Sequence, residues 1–243
     1  VLEGSAAATL GALAAALEAR SPQHDEHWLE AWRGADQATA EALAAAPDPF
    51  EPRAWAALET ALPEDAIVWL ASSMPVRDVE AFFPSSDKPL RFLANRGANG
   101  IDGTVSSAAG AALATGRPAF LLTGELALLH DLGGLLAAGR AGVELTVVCA
   151  NNGGGGIFDF LLVAQHADPA LYEEHIATPS GVDLANVAAL AGLPHRLAST
   201  PDEVRAAIAS PALVEIRTDR SESVREHRLL VERVKAYLGA AGE

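Results

Sequence analysis

Glu125 follows Gly124 at the end of a nearly uninterrupted apolar run, Pro118 to Thr123, and 27 positions later Asn152 follows a second run, Glu144 to Ala150, and Asn151. A carboxylate and an amide oxygen on two such turns are hard oxygen donors. Together with backbone carbonyls they suit Mg²⁺, which takes octahedral oxygen coordination and completes it with phosphate and water. Four glycines, Gly153 to Gly156, come directly after Asn152, and backbone without Cβ lets a ligand approach closely. The chemistry this predicts is a metal-bridged diphosphate. Taken singly, Gly124-Glu125 also reads as a strand end and Asn151-Asn152-Gly153 as an ordinary turn; the pairing is what points to a ligand.

Two further segments add to this. Asn95-Arg96-Gly97-Ala98-Asn99-Gly100-Ile101-Asp102-Gly103 follows a short apolar run and opens a helical stretch. Its glycines and the free N–H groups of a helix start favour an anion, although it has neither the P-loop Lys nor dinucleotide-loop spacing. Ser72-Ser73-Met74-Pro75-Val76-Arg77-Asp78 follows another run. Arg77 and Arg96 stand in nearly uncharged stretches of a chain whose formal net charge is −15. They are the candidates for holding anionic groups, since guanidinium forks match carboxylates; the alternative is an ordinary surface ion pair. His130, His166 and His175 have no carboxylate or nucleophile in a telling local pattern, so no catalytic residue is assigned. Asp102 and Asp131 read as helix caps, and Trp28, Trp32, Trp55 and Trp69 as packing residues of cores and domain seams. Cys149, the only cysteine, reads as a buried small hydrophobe.

Candidate strands at Ala66 to Ala71, Leu90 to Ala94, Pro118 to Thr123, Glu144 to Ala150 and Ala212 to Arg217 must carry these loops. Each is apolar nearly throughout, as a strand covered on both faces requires. Helical stretches at Val76 to Phe82, Thr104 to Ala114, Leu126 to Ala138, Leu184 to Ala191 and Glu203 to Ala209 alternate with them, and a charged one closes the chain at Ser221 to Leu238. The order predicts an α/β fold, a parallel sheet flanked by helices, with its site at the carboxyl ends of the strands. Before it lie a helical pattern around Leu10, Leu13 and Leu17, a polar break at 21–26, and a second helix from Trp28 to Ala45. Pro47, Pro49 and Pro52 fall within six residues and mark a boundary, because clustered prolines oppose helix and central strand. The expected division is 1–46 and 47–243.

Half of the 243 residues are hydrophobic, enough for one substantial core and an appendage. The negative balance disfavours nucleic acid and anionic membrane surfaces as partners, and no apolar run approaches a membrane span. The chain starts Val1-Leu2-Glu3-Gly4 without Met or a signal-like segment, so it is expected to be part of a longer polypeptide and, with its lone cysteine, cytoplasmic.

The Gly-Glu turn followed by Asn-Asn resembles the metal motif of thiamine-diphosphate enzymes. Within that group, residues 95–103, the Ser-x-x-Val-Arg turn from Ser73 to Arg77, the run from Gly153 to Phe158 and Val163-Ala164-Gln165-His166 resemble the 2-succinyl-5-enolpyruvyl-6-hydroxy-3-cyclohexene-1-carboxylate synthase family of menaquinone biosynthesis. The resemblance covers roughly Trp55 to Arg228 and, more weakly, the N-terminal segment as the tail of the family's central domain. It implies a diphosphate-binding domain and the cofactors thiamine diphosphate and Mg²⁺, with Mn²⁺ as the alternative ion. Glu125, Asn152 and the Gly154 carbonyl would hold the metal. Asn99, Gly100, Ile101, Gly124, Glu125 and Asn152 would hold the cofactor, with Ile101 propping it in its bent form. Ser73, Arg77 and Arg96 would bind substrate acids, and Ile157 with Phe158 would wall the pocket.

The implied activity is that of a carboligase that decarboxylates 2-oxoglutarate and adds the resulting succinyl semialdehyde unit to isochorismate. That family is oligomeric and activates its cofactor with a Glu on a pyrimidine-binding domain that these residues do not contain, so the chain alone is expected to be inactive. The family has Asp where this chain has Glu125, and Pro within the segment that here reads Phe160 to Val163. Two rival readings remain: another thiamine-diphosphate decarboxylase or carboligase, such as an acetolactate-synthase-like protein, and a non-catalytic remnant of the fold. A nicotinamide-binding Rossmann enzyme lacks support, because no Gly-x-Gly-x-x-Gly follows the first strand.

Overall fold

The computed structural model of the chain describes residues 5–20 and 26–241. Six strands form one parallel sheet: β1 (Ile67–Leu70), β2 (Arg91–Ala94), β3 (Ala119–Gly124), β4 (Leu145–Asn151), β5 (His195–Leu197) and β6 (Leu213–Arg217). Their order is β2-β1-β3-β4-β6-β5. The chain leaves β1 toward β2 and returns to β3 on β1's other side, so the crevice at the β1 and β3 carboxyl ends is the topological switch point.

The period-two pattern of the central strands explains the layers. Val68, Leu70, Phe120, Leu122 and Val148 face one core, shared with Trp55 and Leu58 of α3 (Glu51–Ala61) and Val79 of α4 (Met74–Phe82). Ile67, Leu121, Val147 and Cys149 face the other, shared with Val105 of α5 (Thr104–Thr115), Leu128 of α6 (Glu125–His130), Leu135 of α7 (Leu132–Arg140) and Val187 of α10 (Leu184–Leu190). Cys149 is fully buried, and burial pushes its thiol pKa well up, which fits a packing role. Outside the sheet, α2 (Glu26–Ala44) packs on α12 (Arg220–Ala241), where Ala42, Leu43, Phe50 and Leu230 make a third cluster. α1 (Ala6–Glu18) forms as its pattern predicts but buries none of its residues. The expected break at 21–26 falls almost wholly outside the described residues. Among the described residues no helix is long and apolar enough to cross a membrane.

Several expectations need correction. The Pro-rich segment turns directly into α3, with Pro52 in the first helical turn, where a missing N–H costs nothing. β2 is an edge strand with Arg91, Phe92 and Leu93 exposed, so the coverage on both faces that its apolar residues predicted is absent. β5, the other edge, is three residues long and too polar to announce itself. The helix expected from Leu126 to Ala138 breaks at Asp131 into α6 and α7. Asp131 does not cap its own helix there: its carboxylate accepts from Ser106 N and Oγ at 2.6 and 2.9 Å, tying the break to the start of α5. A Cβ on Gly134 would lie 2.4 Å from Ser106 Oγ, so glycine is required for that close approach. Asp102 is not a cap either; it pairs with His130. Trp28 and Trp32 stand exposed on α2 with ring centroids 5.8 Å apart, rather than in a core. The short helices α8 (Val163–His166), α9 (Pro169–Tyr172) and α11 (Pro201–Ala207), a 3-10 turn at Gly156–Phe160 and a π turn at Glu173–Ala177 lie between these elements.

Candidate cofactor site

Register places the two key turns side by side. Gly124 at the end of β3 is level with Ala150 near the end of β4, so Glu125 and Asn152 leave adjacent strands at the same edge of the sheet. The 27-residue spacing is therefore one strand-to-strand crossover. A cavity of about 450 Å³ opens at this edge. Ser73, Arg77, Arg96, Asn99, Gly100, Ile101, Gly124, Glu125, Asn152, Gly154, Ile157 and Phe158 all line it. The loops behind four separate strands thus converge, as expected for the carboxyl edge of such a sheet.

Each loop is locally constrained. Asn95 Oδ1 accepts from Trp69 Nε1 at 3.1 Å, and its Nδ2 donates to the Asp102 carbonyl at 2.7 Å, closing the loop that presents Asn99, Gly100 and Ile101. Ser72 Oγ donates to the Asn95 carbonyl at 3.2 Å, and a Cβ on Gly100 would sit 2.3 Å from that hydroxyl. Ser73 holds φ at 90°, a region costly for a side-chain-bearing residue. Arg77 Nη1 donates to the Ser73 carbonyl at 2.6 Å, keeping the strained turn and the guanidinium together at the mouth. Among the described residues no carboxylate pairs with Arg77 or Arg96, so the surface ion-pair alternative has no partner to name.

Glu125 is 3% exposed, and its carboxylate accepts from the Gly154 amide at 2.5 Å. Burial raises its pKa, against the pull of the backbone amides of Glu125, Gly154 and Asn152 and the charge of Arg220. Asn152 Oδ1 is buried and accepts no hydrogen bond from the protein, which leaves it to a ligand, an ion or an ordered water. Gly156 makes room for this side chain, since a Cβ there would meet Asn152 Nδ2 at 2.6 Å. Gly154 holds φ at 142°, and a Cβ would lie 2.5 Å from the Ala177 carbonyl oxygen. Among the described residues no group of three His, Cys, Asp or Glu side chains is arranged to hold a metal ion. A metal here would rely on one carboxylate with amide and carbonyl oxygens, a donor set that fits Mg²⁺.

Sequence reasoning missed Arg220, Trp55, Glu51, Asp78 and Ser223, which also line the cavity. Arg220 was discoverable: it follows β6 at the same strand edge, as the first residue of α12, and that edge carries the candidates behind the other strands. Glu51 and Trp55 come from a helix that the prolines hid. Of the histidines, His130 meets Asp102 and His175 lies 4.0 Å from Glu174, but neither lines the cavity, nor does His166.

Residues 76–216 match the family model described as thiamine pyrophosphate enzyme, C-terminal TPP binding domain. This is more than half of the chain, which therefore belongs to the thiamine pyrophosphate enzymes, as the fold and the cavity at its switch point indicate. Among curated relatives, the chain is 48% identical to the 2-succinyl-5-enolpyruvyl-6-hydroxy-3-cyclohexene-1-carboxylate synthase of Myxococcus xanthus (strain DK1622), over 98% of this chain and 42% of that protein. It is 41% identical to the synthase of the same name from Geobacillus thermodenitrificans (strain NG80-2), over 89% of this chain and 38% of that protein. For the Rubrobacter xylanophilus synthase (strain DSM 9941 / JCM 11954 / NBRC 16129 / PRD-1) the identity is 40%, over 99% and 42%. The chain spans about two fifths of the length of these relatives.

Proposed function

We propose that this chain is the diphosphate-binding part of a thiamine-diphosphate-dependent carboligase acting on 2-oxoglutarate and isochorismate in menaquinone biosynthesis. The observation that carries the reading is the buried, unpartnered Asn152 Oδ1 and the buried Glu125 carboxyl, on two residues lining a cavity that all the candidate residues line. Glu125, Asn152 and the Gly154 carbonyl would hold Mg²⁺ or Mn²⁺. When bound, thiamine diphosphate supplies the electron sink for loss of carbon dioxide from a 2-oxo acid. The protein's own residues bind and orient. Ile101 supports the cofactor from the loop that Asn95 closes, with Asn99, Gly100 and Gly124 lining its path. Arg77 and Arg96 pair with substrate carboxylates at the mouth, Ser73 hydrogen-bonds substrate, and Ile157 with Phe158 excludes water from the reacting end.

In this reading residues 1–46 are the tail of a central domain and 47–243 the diphosphate domain, working in a cytoplasmic homo-oligomer. The acid that activates the aminopyrimidine belongs to a pyrimidine-binding domain outside these residues, so the chain alone binds but does not turn over. Calorimetric titration with thiamine diphosphate, in Mg²⁺ and again in chelator, tests the reading. Metal-dependent binding is expected, even at millimolar strength; equal heats with and without metal would sink the assignment of Glu125 and Asn152. With the pyrimidine-binding domain supplied, preference for pyruvate over 2-oxoglutarate would point instead to another carboligase of the class.

A further inference from the structure

β6 lies beside β4, with Arg217 level with Asn151 and the Thr218 amide donating to the Asn151 carbonyl at 3.0 Å. This pairing delivers Arg220, the first residue of α12, against the glycine loop: a Cβ on Gly154 would sit 3.2 Å from Arg220 Nη1. The other branch of the guanidinium is anchored, because Nη2 donates to both Glu173 carboxylate oxygens at 2.7 and 2.8 Å. Nη1 is buried and has no acceptor, and Arg220 lines the cavity. Two unsatisfied groups of opposite character thus flank one loop. Asn152 Oδ1 calls for a cation or a donor, and Arg220 Nη1 calls for an anion or an acceptor. A metal–diphosphate presents both.

We propose that Arg220 is an anion-binding residue of this site, donating from Nη1 to a diphosphate oxygen of the metal-bound cofactor. The inference rests on the function proposed above and adds a residue to it. Strand order decides which anion it meets. Arg77 and Arg96 follow β1 and β2, whereas Arg220 follows β6, on the far side of β3 and β4. Arg220 is therefore the guanidinium beside the metal loop, and the other two are those at the substrate mouth. Its charge is already shared with Glu173, so what Nη1 adds at the diphosphate is a directed hydrogen bond, in a place where a buried donor left unpaired is costly.

The test uses the 243-residue chain with inorganic pyrophosphate and Mg²⁺ in a calorimeter, and Mn²⁺ alone by electron paramagnetic resonance. Arg220→Met is expected to weaken Mg²⁺-pyrophosphate roughly tenfold to a hundredfold, the worth of one charge-assisted hydrogen bond. Arg220→Lys, which keeps the charge and loses the fork, is expected to lose less and carries the test if the Met variant does not fold. Binding of Mn²⁺ alone is expected to be unchanged or tighter, since a neighbouring positive charge has gone. Pyrophosphate binding within twofold of wild type would overturn the assignment of Arg220 and leave the metal–diphosphate reading standing. Parallel loss of Mn²⁺ and pyrophosphate would also overturn it, by showing that Arg220 only props the loop. Wild-type protein that binds Mn²⁺ but not pyrophosphate would remove both readings together.

Discussion

Replacing His227 with Leu is expected to destabilise the protein by about 3–5 kcal/mol, because it strands a buried carboxylate. His227 and Asp78 are 8% and 2% exposed. Nε2 lies 3.0 Å from Asp78 Oδ1 and Nδ1 lies 2.7 Å from the Ser223 carbonyl oxygen. Both ring nitrogens face acceptors, so the imidazolium, with two N–H groups, satisfies the site fully. Phe50, Phe82 and Phe160 close around the ring edge-on, with centroids 4.9, 5.9 and 5.2 Å away. Burial works against the charged ring, but the Asp78 carboxylate, the Ser223 carbonyl and the nearby Glu51 outweigh it and hold the pKa above the ordinary imidazole value. The stabilisation is therefore complete below about pH 6.5, the unfolded value, and is lost as pH rises through the higher folded value. For a chain of this size the ~3–5 kcal/mol expected of the substitution, at low pH, corresponds to a fall in melting temperature of roughly 10 °C. Urea unfolding at pH 5.5 and 8.5 measures it. The Asp78→Leu/His227→Leu pair is expected to recover most of the stability, because an apolar replacement of both partners leaves no charge unpaired. A single-variant loss below about 1 kcal/mol, or a double variant as weak as the sum of the singles, would refute the buried-pair argument. Undiminished pH dependence in His227→Leu would refute the titration argument.

Glu125→Gln keeps an acceptor for the Gly154 amide but removes the anionic donor. Metal-dependent cofactor binding is expected to disappear in calorimetry while the unfolding free energy stays level or rises, since burial already disfavours the charged carboxylate. Gly154→Ala is expected to cost at least about 1–3 kcal/mol in urea unfolding, from the positive φ alone, and to abolish metal-dependent binding; a neutral result would mean the loop adopts another path. Asn95→Leu removes both side-chain bonds that close residues 95–102. The expected loss is about 1–3 kcal/mol, with faster amide hydrogen exchange over 96–103 and weaker cofactor binding, and unchanged exchange would show that the loop closes without it.

The central sheet was legible in the sequence because β1, β3, β4 and β6 are apolar enough to announce coverage on both faces, and because Gly, Asn and Pro punctuate their ends. The candidate residues were legible for the same reason: in a parallel sheet every loop that follows a strand emerges at one edge, so Ser73, Arg96, Glu125 and Asn152 converge whatever the details of the crossovers. Strand order, register and long-range side-chain pairing are different. No local pattern announces that β6 lies against β4, yet that neighbour relation alone brings Arg220 to Gly154 and Glu215 to Asn151, 66 and 64 positions away in the chain respectively.

The same holds for α3, whose prolines read as a break until Pro52 is seen in its first turn, and for Asp131, which reads as a cap for α7 until its carboxylate is seen on α5. His227 and Asp78 are 149 positions apart, and neither carries a signal of its own. Which residue types stand behind which strands is readable along the chain, since hydrophobic periodicity and turn chemistry are local. Which buried polar groups meet, and which, like Asn152 Oδ1 and Arg220 Nη1, stay without a protein partner on cavity-lining residues, is settled on folding, because it depends on packing between segments far apart in the chain.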